Sequence, residues 1–126
     1  MSFSDTYETH VLNYLFTASA ATRPTAWYVG LQTSSNTDTA PGSEVSGNGY
    51  VRKPVTLTVS ASLATNMTTV EWSAATGNWG TVTSLAVYDS LTGGNQIAHS
   101  DLTAPKVVAT GDVFRISSGL LDINLD

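Results

Sequence analysis

The stretch Val55-Thr56-Leu57-Thr58-Val59-Ser60 alternates apolar and hydroxyl side chains without a break. A period of two marks a strand with one face on a core, because successive side chains of an extended chain point to opposite faces. Val55, Leu57 and Val59 are expected inward, with Thr56, Thr58 and Ser60 outward. The same period returns near the end of the sequence, where Leu121, Ile123 and Leu125 alternate with Asp122, Asn124 and Asp126. In 26–33, Trp27, Val29 and Leu31 share one face, and Tyr28 and Gln32 the other. Residues 82–88 are apolar on both faces, the pattern of a central strand buried on both sides. Shorter strands are expected at 69–72, 96–102, 107–109 and 113–117, the last with Phe114 and Ile116 on one face.

Turn chemistry separates these runs. Asp89-Ser90-Leu91-Thr92-Gly93-Gly94-Asn95 joins two strands that can form a hairpin, and Thr110-Gly111-Asp112 reads as a tight turn. About eight short antiparallel strands with regular turns imply an all-β domain, a β-sandwich or jelly roll spanning 1–126. Residues 34–49, broken by Ala40-Pro41-Gly42-Ser43 and Ser46-Gly47-Asn48-Gly49, form a loop long enough to be functional or mobile.

One short helix is expected at about 3–17. Phe3, Tyr7, Val11, Tyr14 and Leu15 recur at the spacing of one helical face, and Leu12 and Phe16 widen it. Ser2 or Ser4 can cap it by accepting a hydrogen bond from an unpaired N–H of the first turn. Asp5 and Glu8 suit the positive end of the helix dipole. Pro24 disfavours helix at Arg23.

Composition narrows the function. Five Lys and Arg oppose ten Asp and Glu, a formal net charge of −5. This balance argues against nucleic acid, whose binding rests on cationic contacts to phosphate. Charged residues are 12% of the chain, about half the usual ~25%; 19 Thr and 15 Ser take their place. There is no cysteine, so disulfides, thiolate metal sites and a Cys nucleophile are excluded together. A cationic secretory leader is not expected, since Arg23 is the first basic side chain. The long uncharged runs 54–70 and 72–88 are too rich in Thr, Ser, Gly and Asn for a membrane span.

Chemistry-bearing motifs are absent. His10 and His99 stand in no metal-ligand spacing, and the carboxylates Glu8, Glu44, Glu71, Asp89, Asp101 and Asp112 are scattered. There is no Gly-x-Ser-x-Gly elbow and no phosphate-binding glycine loop with its lysine. Neither a cofactor nor a catalytic set is expected. Trp27, Trp72 and Trp79 read either as core or as a platform for sugar rings, with core the commoner fate of such residues.

Several segments in order resemble a known family. They are Met1-Ser2-Phe3-Ser4-Asp5, Leu12-Asn13-Tyr14-Leu15-Phe16, Thr22-Arg23-Pro24-Thr25-Ala26-Trp27-Tyr28-Val29-Gly30-Leu31 and Glu44-Val45-Ser46-Gly47-Asn48-Gly49-Tyr50-Val51-Arg52. Trp79-Gly80-Thr81-Val82-Thr83, Tyr88-Asp89 with Gly93-Gly94, Gly111-Asp112 and Gly119-Leu120-Leu121-Asp122-Ile123 complete the set. Together they resemble small tailed-bacteriophage virion proteins, labelled capsid decoration (cement) or tail-fibre-like proteins. The resemblance implies a non-enzymatic structural protein that is assembled in the bacterial cytoplasm and carried on the virion. A decoration protein would bind the phage major capsid protein and stabilise the closed shell by mass action. A tail or tail-fibre component is the alternative, and a host-surface carbohydrate-binding module is a third reading. A homo-oligomer, a trimer before a dimer, is expected from the low charge. The candidate contact residues are Tyr7, Val11 and Tyr14 on the helix, and Tyr50, Arg52 and Lys53 at the end of a contact arm over 34–53.

Overall fold

The computed structural model describes residues 1–125. In chain order the elements are β1 (Ser2–Phe3), α1 (Asp5–Phe16), β2 (Tyr28–Gln32), β3 (Lys53–Pro54), β4 (Leu57–Ser60) and β5 (Leu63–Asn66). They continue with β6 (Val70–Glu71), β7 (Gly80–Tyr88), β8 (Gln96–Val108), β9 (Arg115–Ile116) and β10 (Asp122–Asn124). Five strands form the main sheet in the order β1-β8-β7-β2-β3. Three form a second sheet, β10-β5-β4, and two a third, β6-β9. The pairings are antiparallel throughout, as an all-β sandwich with one short helix requires.

The strand with two apolar faces sits where its pattern demands. β7 is paired on both sides, by β2 and β8, and Val82, Leu85, Ala86, Val87 and Tyr88 are buried. A strand covered on both faces has no polar side to show. One core cluster joins Val29 and Leu31 of β2, Val82 and Val87 of β7, and Trp72, Phe114 and Ile116 from the β6–β9 region. Trp72 packs edge-on against Phe114, with ring centroids 5.5 Å apart. The loop 89–95 makes the expected hairpin between β7 and β8.

Three expectations are corrected. The segments 96–102 and 107–109 belong to one strand, β8. The register against β7 jumps from Ser84↔Asp101 to Val82↔Lys106. The surplus residues, Pro105 among them, therefore bulge out where proline's missing N–H is not needed by the ladder. The helix begins at Asp5, and Phe3 lies in β1, opposite Ala98. Ser4 is the cap residue, but its Oγ donates to the Gln96 carbonyl at 2.6 Å and caps no helix N–H. Finally, Val55 is buried and Leu57 half-buried, whereas Val59 is exposed. The β4–β5 hairpin leaves the core midway, so its period of two outruns its burial. Leu125 is half exposed, and Asp126, expected on the outer face there, lies outside the described residues.

The 34–49 segment is strapped onto the main sheet. The buried Asn36 donates to Ser84 Oγ at 3.1 Å and accepts from the Gly42 N–H at 2.9 Å. Ser84 Oγ donates in turn to the Ser34 carbonyl at 2.7 Å. Val45 is buried and its N–H bonds to the Leu31 carbonyl. A buried amide satisfied in this way ties the loop to the sheet.

Candidate functional site

The arm and the helix carry the six candidate contact residues, and the structure treats the two segments differently. In the arm, Arg52 is buried and forms a bidentate pair with Glu44, Nε to Oε2 and Nη2 to Oε1, both at 2.9 Å. Its Nη1 donates to the carbonyls of Ser90 and Gly93 at 2.8 Å each. The guanidinium lies 3.5 Å from the centre of the Tyr88 ring, a cation–π contact. Tyr50 Oη donates to Glu44 Oε2 at 2.7 Å and accepts the Leu31 N–H at 2.9 Å.

Gly30 of β2 makes room for this cluster. A Cβ there would stand 2.8 Å from Tyr88 Cε2 and 3.0 Å from Glu44 Oε2. Burial works against the charge on Arg52, but the hydrogen bonds and attraction of Glu44, helped by Tyr88 and Tyr50, outweigh it and raise its pKa. Burial first, and the bond to Glu44 second, push the Tyr50 phenol far above its ordinary value. Arg52 and Glu44 therefore serve one another. They join the arm to the β7–β8 turn, and Arg52 presents no free guanidinium to a ligand. Lys53 is half-buried in β3, opposite Val29.

In the helix, Tyr7 is buried and its hydroxyl donates to Asp89 Oδ2 at 2.7 Å. His10 packs edge-on against the Tyr7 ring at 4.8 Å. Val11 is half-buried and Tyr14 is exposed. The apolar stripe predicted from the spacing is real, but the subunit covers only its beginning. Leu12, Leu15 and Phe16 are exposed and line a groove of about 530 Å³ with Phe3, Glu8, Val11 and Leu125. This groove is the candidate interaction site of the molecule. The helical spacing identified the apolar residues that line it, but a periodic pattern does not show that the subunit leaves them exposed.

The remaining candidates have structural positions. Trp72 and Trp79 are buried, and their indole N–H groups donate to the carbonyls of Val51 and Asn48 at 2.9 Å. Both are core, and Trp27 is half-buried against the same cluster. His99 Nε2 lies 2.8 Å from Asp38 Oδ1, which also accepts from Ser2 Oγ at 3.1 Å. The His99 bond, followed by that from Ser2, holds the Asp38 carboxyl below its ordinary value. Among the described residues no three His, Asp or Glu side chains gather as a metal site, and no helix is long and apolar enough to cross a membrane.

The family described as podophage GP4 fiber I protein gp80 matches residues 2–124. No match was found among curated proteins.

Proposed function

The chain belongs to the podophage fiber I protein (gp80) family and is a structural protein of a tailed-phage virion; we propose that within the virion it is a tail-fibre subunit that works by contact and catalyses nothing. The family description supports the tail location. The observation that carries the contact role is the exposed apolar end of α1 beside a well-packed sandwich. Contacts that are weak singly serve such a protein well, because linked sites raise avidity by ~10²–10⁴ without new contact types.

A second reading is capsid decoration, in which the same surface reinforces the head shell by binding the major capsid protein. It is favoured by the fold, an all-β sandwich whose exposed apolar helix end suits a clamp across neighbouring shell subunits. A virion reconstruction separates the two. A small number of copies on the tail is the expected result. Many copies distributed over the head shell would replace the fibre reading with decoration, and stripped capsids should then rupture at lower temperature than decorated ones.

A further inference from the structure

We propose that copies of this chain associate with one another through the C-terminal half of α1, each helix end packing between two neighbours. The proposal rests on the structural role given above and adds the partner. Tyr7 and Tyr14 are seven residues apart, close to two helical turns, and so project to the same side. Yet Tyr7 is 8% exposed and Tyr14 76%. The helix therefore overhangs the sheet that receives its first turn. The overhang carries Leu12, Leu15 and Phe16, exposed at 57%, 60% and 76%. At ~100° per residue, Tyr14, Leu15, Leu12 and Phe16 span an arc of roughly 200°. A helix lying on one surface shows an apolar stripe about half as wide; an arc this wide fits a helix covered from two sides.

The charge pattern selects the occupant. No Asp, Glu, Lys or Arg occurs between Glu8 and Arg23, an uncharged, aromatic centre with charges at its rim, as in protein interfaces. Copies of a chain with net charge −5 repel one another over much of their surface, and this face is where that repulsion is least. A helix made to lie on an anionic lipid surface would carry Lys and Arg on its polar side; α1 has neither, and its only charged side chains, Asp5 and Glu8, are acidic. At their exposures Tyr14 and Phe16 alone offer roughly 300 Å². Leu12, Leu15 and Leu125 extend this toward the ~800 Å² per partner of a stable complex. A helix covered from two different sides makes a head-to-tail contact, and three copies form the smallest closed ring in which each helix has two neighbours.

The test is light scattering on the full chain at tens to hundreds of micromolar, with a Leu12→Asp/Leu15→Asp variant and a Val59→Asp control on the exposed β4 hairpin. The native chain and the control should be trimers. The double variant should be a monomer with an unchanged circular dichroism spectrum, because both leucines are exposed in the subunit. A native monomer at the highest concentration, or an oligomer that survives the double substitution, would overturn the self-association. A dimer would overturn the two-neighbour arrangement. Dissociation caused by Val59→Asp alone would move the interface to the hairpin. These outcomes are read on isolated protein, so they are independent of whether the virion carries it on the tail or the head.

Discussion

At the scale of single residues, Arg52 shows how a side chain that reads as a surface cation becomes a joint. Its four hydrogen bonds run to Glu44, Ser90 and Gly93, so one guanidinium fastens two loops distant in sequence. Removing one member of a buried ion pair strands the other. Arg52→Ala should therefore destabilise the fold by about 3 kcal/mol, measured by urea denaturation, and Glu44→Gln should cost a comparable amount, because it strands the guanidinium and turns an amide N–H toward one of its donors. A loss under 1 kcal/mol for Arg52→Ala would mean that Glu44 is rehydrated without difficulty. Gly30→Ala tests the same cluster from below. With Tyr88 and Glu44 3.0 Å or less from the new methyl, overpacking should cost about 1–3 kcal/mol. Arg52-Lys53 as a dipeptide reads as a strand-edge ion pair or a partner contact, and the ion pair is present, but the dipeptide does not identify its carboxylate. Glu44 lies eight residues away across a turn, and only the folded arm shows which of two adjacent cations turns inward.

At the scale of elements, legibility followed length and two-sided burial. β7, with nine residues and both faces covered, announces itself in sequence. β1 and β3 have two residues each, too few for any period, and β5 reads Leu-Ala-Thr-Asn with a single large apolar side chain. The helix was legible as a periodic face, yet periodicity reports that a face is apolar and does not report what covers it. In the subunit α1 is held chiefly by its first turn, through Tyr7, the Tyr7–Asp89 bond and the Ser4–Gln96 bond. Tyr7→Phe keeps the ring and removes a hydrogen bond to a carboxylate, an interaction of ~1.5–3 kcal/mol. The expected outcome is a fall in stability of that order, with amide exchange across Asp5–Phe16 accelerated more than in β7. Equal acceleration in both elements would show that helix and sheet open as one unit.

At the scale of the whole molecule, the absence of cysteine leaves the stability of the fold to burial and hydrogen bonds, and buried phenols make part of that stability depend on pH. Tyr7, Tyr50 and Tyr88 all have raised pKa values, each chiefly from burial, with Asp89 acting further on Tyr7 and Glu44 on Tyr50 and Tyr88. A group whose pKa is higher folded than unfolded releases its proton more readily from the unfolded chain. Its contribution is complete below the unfolded value, here 10.0, and drains away as the pH climbs from there toward the folded value. Asp38, held below its ordinary 3.8, acts in the opposite direction: its contribution is present above that value and is lost as the pH falls through the lower, folded one. The chain should therefore keep a broad plateau of stability between these limits and lose stability steeply above about pH 10. Urea midpoints taken at intervals from about pH 8 to pH 12, with phenolate absorbance followed in the same samples, measure it. Three phenols should ionise only as the native structure is lost, and Tyr50→Phe should flatten the alkaline slope, since one linked proton is removed. If all five tyrosines ionised near their ordinary value while circular dichroism stayed native, the phenols would be open to water, and the packing around Glu44, Tyr50 and Tyr88 would be looser than the hydrogen bonds at 2.7 Å require.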